Sequence, residues 1–364
     1  MRVCIDIQSA IAQRAGIGRY TKLLVEHLAA TRAPTDELAL FYFDFQRKGV
    51  PFQIPGVTQR ACRWLPGRFV QKAWKTVGWP PFDMFSGAAD IFHFPNFIRP
   101  PLTRGKSVVT VHDLAFMRMP GTIEEKNHRF LTSRIRNTVE KADAIIAVSE
   151  FTRREIIELL NVPEDRVTAI LSGIELPVPR PESGNRKKEK PFLFTVGTLE
   201  PRKNYPFLVD VFDRLNFDGD LVIVGGRGWK FEPILERILR SPKRDRIRIL
   251  NYVGDDELDR LYRDASLFIF PSLYEGFGFP PLEAMARGTP VVSAATGSLP
   301  EVLGDAALLI EGSDAENWAV KISALLSDDA ARKSLVACGA AQAASFTWQE
   351  TARRTWKLYG SLSP

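Results

Sequence analysis

The sequence is short of cysteine and lacks long apolar runs, and each shortage removes a class of protein. Only three of its 364 residues are cysteine, at Cys4, Cys62 and Cys338. They lie far apart, with no CxxC pair and no metal-ligand spacing. Neither a disulfide framework nor a metal site is expected, and a reducing compartment, the cytoplasm, follows. No run of 18 or more apolar residues occurs, so no transmembrane helix is expected. The opening Met1-Arg-Val-Cys-Ile-Asp-Ile7 is short and alternating, unlike a signal peptide. The two halves share no alignable sequence, so any repetition is of architecture only.

What is present describes a globular protein: 45% hydrophobic, 25% charged and 10% aromatic residues. Such a length asks for two domains or one large one. The net charge of +6 is uneven. Residues 1–173 hold 24 basic and 17 acidic residues, whereas 174–364 hold 25 and 26. The cationic surplus lies in the first half and calls for an anionic partner: nucleic acid, an acidic membrane or a phosphate-bearing substrate.

Hydrophobic patterning predicts strands at 3–7, 38–43, 90–94, 107–112, 144–148, 192–196, 221–224, 247–250, 267–270 and 290–293. Helices are predicted between them, including 123–141, 204–215 and 230–241, with Ser149 as an N-cap. Strands alternating with helices imply parallel βαβ units. Residues 174–190, with three prolines and a basic cluster, interrupt the alternation and read as an interdomain linker. Two α/β domains follow, 1–173 and 174–346. The amphipathic stretch Trp348–Tyr359 closes the second domain or returns to the first.

Four constellations suit chemistry. Gly16-Ile-Gly-Arg-Tyr20 lies between a strand and a helix, where backbone N–H groups and the helix dipole favour phosphate, although tight βα turns share this form. Gly197-Thr-Leu-Glu-Pro-Arg-Lys-Asn204 puts Arg202 and Lys203 at the C-terminal end of a parallel strand, where open α/β sheets bind ligands. In Tyr274–Gly288, glycines and prolines frame Glu275 and Glu283, whose separation lets them address two parts of one extended ligand. A carboxylate accepts hydrogen bonds from vicinal hydroxyls of a sugar or ribose. Val111-His112-Asp113 ends a strand; a lone histidine is more often structural, but this one lies at the mouth of the first sheet. Asp218-Gly-Asp220 reads as a surface turn rather than a metal pair. Gly225-Gly-Arg-Gly228 lacks the third glycine of a dinucleotide fingerprint.

One stretch combines cations with aromatics. Between Arg60 and Trp79 lie Arg60, Arg63, Arg68, Lys72 and Lys75 with Trp64, Trp74 and Trp79, and no acid. This suits an anionic membrane interface, single-stranded nucleic acid, or local packing of an acceptor-side loop.

In combination, these motifs resemble the retaining glycosyltransferases of family 4, which have the GT-B fold. The Glu275–Glu283 pair matches the E-x7-E motif. Pro201-Arg-Lys-Asn204, the N-terminal glycine turn and the His112-Asp113 pair match that family in order and spacing, and Ser298-Leu-Pro-Glu301 also resembles it. Likeness extends over nearly the whole chain, strongest in 190–305 and weakest in 44–90. It implies two Rossmann-like domains facing a cleft, acceptor on the first and donor on the second, with a final helix, 347–364, crossing back to the first. By matched positions, Arg202 and Lys203 neutralise the donor diphosphate and Gly16 and Gly18 approach it. Glu283 holds the ribose. Glu275 and the backbone of Gly276, Phe277 and Gly278 hold the transferred sugar, with His112 beside it. Two fixed cations serve without a metal or other cofactor. Retention is implied, by a front-face route in which the diphosphate helps deprotonate the acceptor. The Gly16-Ile-Gly-Arg-Tyr-Thr21 form resembles bacterial O-antigen and exopolysaccharide mannosyltransferases. It favours GDP-mannose as donor, with UDP-linked sugars and dTDP-rhamnose as the other candidates, and a lipid-linked oligosaccharide or glycan as acceptor, at the inner face of the membrane. Nucleic acid drops out as a partner. A GT-B nucleotide-sugar epimerase and a non-catalytic nucleotide-sugar-binding assembly partner are the competing identities.

Overall fold

A computed structural model of the chain describes residues 1–12, 16–49, 53–123, 125–177 and 190–363. Most of the expected linker, 178–189, lies outside the described residues. The chain divides into two compact units. One comprises Met1–Leu114, Arg129–Gly173 and Thr347–Pro364, the other Ala115–His128 and Ile174–Phe346. Residues 115–128 therefore group with the second unit, although their place in sequence is within the first half. Trp229 Nε1 and Lys230 Nζ hold them there, donating to the carbonyls of Thr122 and Gly121, each at 2.7 Å.

The first unit is built on seven parallel strands: β1 (Arg2–Asp6), β2 (Glu37–Phe43), β3 (Thr58–Cys62), β4 (Ile91–Phe94), β5 (Lys106–Val111), β6 (Ala144–Ala147) and β7 (Val167–Ala169). Their order is β3-β2-β1-β4-β5-β6-β7. The second unit has six: β8 (Phe192–Val196), β9 (Asp220–Val224), β10 (Ile247–Leu250), β11 (Leu267–Phe270), β12 (Val291–Ala294) and β13 (Leu308–Ile310), ordered β10-β9-β8-β11-β12-β13. All pairings are parallel, as the near-continuous Val/Ile/Leu/Phe runs require when both sheet faces are covered. Each order reverses beside its first strand, at β1/β4 and at β8/β11. Open α/β sheets bind ligands at such switch points, outside the strands' C-terminal ends.

The closing helix, Trp348–Leu362, packs in the first unit against the helix Ile17–Thr31. Trp356 Nε1 donates to Leu28 O at 3.1 Å, and Thr351 Oγ1 to Leu171 O at 2.8 Å. Tyr359 is fully buried, its hydroxyl 2.5 Å from His93 Nδ1. The other ring nitrogen, Nε2, lies 2.9 Å from Thr110 Oγ1. Burial pushes this imidazole down to about 3, so it is neutral.

Candidate active site

The second unit's site grows from the ends of β8 and β11, the pair flanking the switch point. After β8 the chain makes a 3-10 turn at Pro201–Lys203, and Leu273 N donates to Arg202 O at 2.9 Å, tying that turn to the loop after β11. Glu275 lies between the two cations. Its Oε2 accepts from Arg202 Nη1 at 2.8 Å; its Oε1 accepts from Lys203 Nζ at 2.6 Å and Ser272 Oγ at 2.5 Å. Arg202 is held from its other side by Glu200 Oε1, which accepts from Nε at 3.0 Å and lies 2.8 Å from Nη2. Arg202 Nη1 also donates to Tyr274 O at 2.8 Å. Lys203 Nζ lies 5.1 Å from the centroid of the Phe270 ring.

Four charged groups thus share a buried site, with Glu200, Lys203 and Glu275 each less than a tenth exposed. Burial alone would raise the Glu275 carboxyl; Arg202 and Lys203 outweigh it and hold it at about 2. Burial lowers the Lys203 ammonium, Glu275 opposing that fall and Arg202 adding to it. At Glu200 burial wins: the carboxyl is raised, with Arg202 and Lys203 countering only in part.

Beyond Glu275 the chain leads into the helix Phe279–Ala286. Its N-cap, Gly278, has φ 108°, a conformation that side chains rarely adopt, and prolines fill the first turn where no N–H partner is needed. Glu283, buried on this helix, accepts from Tyr262 OH at 3.0 Å. The Phe277 ring packs against Phe279 and Phe346, so this residue is available to a ligand through its backbone, not its ring. The loop is clamped from behind. Gly297 lies so close to the Glu275 backbone that a Cβ would come within 2.5 Å of its carbonyl oxygen, and Ser298 Oγ donates to the carbonyls of Glu275 and Phe277.

The structure thus brings together Arg202, Lys203, Glu275 and the Gly276–Gly278 backbone. Sequence alone missed Glu200, Ser272, Tyr262 and Gly297. Glu200 stands directly before Pro201, and that adjacency was its one available signal.

In the first unit, Gly16 precedes the helix Ile17–Thr31 and is exposed; Gly18, within the helix, is buried. His112 lies just past β5, with Nε2 2.9 Å from Pro95 O and its ring edge-on to Tyr20 at 4.7 Å. A carbonyl only accepts, so Nε2 carries the proton and Nδ1 the lone pair. Burial lowers this imidazole, which favours the neutral form, against the Pro95 hydrogen bond and Asp113.

The aromatic–basic stretch divides. Trp74 is turned inward: its Nε1 donates to Pro80 O at 2.5 Å and its ring packs near Phe43 and Phe82. It does not join an exposed face, because its one polar atom and its ring are both engaged. Arg60 donates to Ser86 O, Arg63 pairs with Asp44, and Lys75 lies over the Phe130 ring. Trp64, Phe69, Val77 and Trp79 remain exposed, as do Arg68 and Lys72. From Phe45 to Phe82 there are seven cations and no carboxylate. No helix among the described residues is long and apolar enough to cross a membrane.

Residues 14–177 match the family model Glycosyltransferase Family 4, and residues 180–342 match Glycosyl transferases group 1. The chain is 32% identical to the O-antigen chain mannosyltransferase B of Escherichia coli, an alignment covering 95% of this chain and 96% of that protein. It is also 32% identical to the serotype-specific mannosyltransferase WbdA of Escherichia coli, over 68% of this chain but only 32% of that longer protein. Among solved structures, sucrose-phosphate synthase from Thermosynechococcus elongatus superposes with a TM-score of 0.79 at 20% identity, covering 100% of this chain and 99% of that one. Family models along both units, an identity of 32% over nearly the full length and two Rossmann-like sheets agree: the chain belongs to glycosyltransferase family 4 and is a glycosyltransferase of GT-B fold.

Proposed function

We propose that the enzyme transfers mannose from GDP-mannose, with retention at the anomeric carbon, to a lipid-linked oligosaccharide. The observation that carries this is the buried Arg202–Lys203–Glu275 cluster, which leads directly into the Gly276–Gly278 backbone and Glu283. A departing nucleoside diphosphate gathers negative charge on its bridging oxygen. Arg202 and Lys203 offer fixed positive charge to it, and fixed charge needs no reorganisation as the bond breaks. Glu275 aligns both cations. Three donors occupy three of its roughly four lone-pair directions, which leaves one for a sugar hydroxyl. Glu283, oriented by Tyr262, takes the ribose hydroxyls. From the family resemblance alone, Gly16 and Gly18 are proposed for the diphosphate and His112 for the transferred sugar. In this scheme the diphosphate oxygen itself accepts the acceptor's proton on the face it leaves, giving retention. Support for mannose comes from the names of the Escherichia coli relatives.

The acceptor is assigned to the first unit and to a lipid carrier. Its exposed Trp64, Phe69 and Trp79 beside Arg68 and Lys72 suit an anionic bilayer surface. Sedimentation with vesicles tests this face: binding to phosphatidylglycerol but not phosphatidylcholine vesicles supports it, and binding to neither, or equal binding to both, refutes it.

The donor is tested by melting the protein with a panel of nucleoside diphosphates and their sugars. Selective stabilisation by GDP and GDP-mannose supports the proposal, and selective stabilisation by another base overturns the donor. Incubation with GDP-mannose and no acceptor separates the epimerase: a changed sugar epimer would sink the transferase proposal.

A further inference from the structure

Arg202, Lys203, Glu200 and Glu275 carry formal charges that cancel. Their side chains are only 17%, 11%, 3% and 10% exposed. A sugar nucleotide brings a diphosphate with two negative charges into this set. Unbalanced charge in a poorly solvated place is costly, and the usual relief is protonation of one group. The two carboxylates differ in what holds them ionised. Glu275 receives three donors on its two oxygens, two of them cations. The Glu200 carboxylate has one hydrogen-bonding and ion-pairing partner among the described residues, Arg202, and only through Oε1. Its Oε2 has no hydrogen-bond partner among the described residues.

We propose that Glu200 is a positioning residue that orients Arg202 and takes up one proton, on Oε2, when a nucleoside diphosphate sugar binds. The step is Glu200 carboxylate plus a solvent proton giving the carboxylic acid. This removes one negative charge from the site and releases Arg202 Nε and Nη2 from a competing anion. The charged and titratable groups around Glu200 are consistent with that direction. Arg202 and Lys203 follow it in the same turn, Glu275 faces it from the loop after β11, and buried Tyr205 lies on the next helix. Arg227, on the loop after β9, is turned to the Phe231 ring at 5.1 Å rather than to the cluster. The raised Glu200 carboxyl, beside a Glu275 held at about 2, agrees with the choice of partner. An arriving anion raises Glu200 further. Affinity therefore strengthens as pH falls through the window in which the bound form holds the proton and the free form does not.

This inference rests on the proposal that Arg202 and Lys203 grip the donor diphosphate, and the test separates the two. GDP-mannose is titrated calorimetrically in buffers of different ionisation enthalpy; as a diester it has no phosphate that titrates near neutrality. Wild type should take up close to one proton per ligand, with Kd falling as pH is lowered, by at most about tenfold per unit. Glu200→Gln should bind with no proton exchanged and a flat pH profile, while Glu200→Asp, which still titrates, should restore uptake. Binding without proton uptake in wild type, or unchanged uptake in Glu200→Gln, overturns the role of Glu200 while leaving the diphosphate site standing. Binding untouched by Arg202→Met and Lys203→Met overturns the diphosphate site itself.

Discussion

The two units carry their positive charge in opposite ways. The first holds 25 basic and 16 acidic residues, a surplus of nine cations, concentrated where Phe45 to Phe82 offers no carboxylate. The second is nearly neutral overall, yet holds the best-built cationic site, because Glu200 and Glu275 cancel Arg202 and Lys203 before any ligand arrives. Composition therefore points at the surface and overlooks the site. Charge that must act on a reacting bond is fixed, buried and paired, whereas charge for a diffuse anionic surface is exposed and needs no partner.

The largest effect expected to break this contrast is at Glu275. Glu275→Ala leaves two buried cations without their shared carboxylate, and mannosyl transfer should fall a hundred- to a thousand-fold, about 3–4 kcal/mol of transition-state stabilisation. A steady-state assay checks it, with circular dichroism showing that the variant is folded. An intermediate effect concerns His93 in the first unit. Below about pH 6.5 an unfolded chain protonates this imidazole, while the folded chain refuses the proton until about pH 3. Folding stability should fall as pH drops through that window, by at most about 1.4 kcal/mol per unit, and His93→Gln should lose that slope in urea titrations. Tyr262→Phe removes one hydrogen bond to Glu283, worth about 1 kcal/mol, so donor KM should rise about fivefold with kcat little changed. Smallest of all, Trp64→Ala with Phe69→Ala should leave transfer to a water-soluble acceptor within twofold of wild type while abolishing vesicle sedimentation.

The same contrast explains what was legible beforehand. Ten strands announce themselves as apolar runs, within a residue of their observed bounds. The three unforeseen strands, β3, β7 and β13, all lie at sheet edges. β7 and β13 are only three residues long, and β3 and β13 are only partly buried: Thr58–Cys62 alternates exposed and half-buried positions before Cys62, and Leu308 and Leu309 are half-buried. An edge strand needs no continuous apolar run because a neighbour covers only one side of it. In the site, Arg202, Lys203, Glu275 and Glu283 stand out because glycine and proline frame them. Glu200, Tyr262 and Ser272 do not, since a lone carboxylate or hydroxyl reads as surface until folding places it against a partner. Trp74 failed as an interface residue for the converse reason. Its composition suited a membrane, but the fold gave its N–H to Pro80 and its ring to Phe43 and Phe82.

The central claim is that Arg202 and Lys203, balanced by buried carboxylates, grip the donor diphosphate. Calorimetric titration of GDP into wild type and Lys203→Met tests it most directly. Loss of this buried, charge-assisted contact should weaken binding by at least about thirtyfold, about 2 kcal/mol, with the variant still folded. An unchanged Kd in Lys203→Met would contradict the claim.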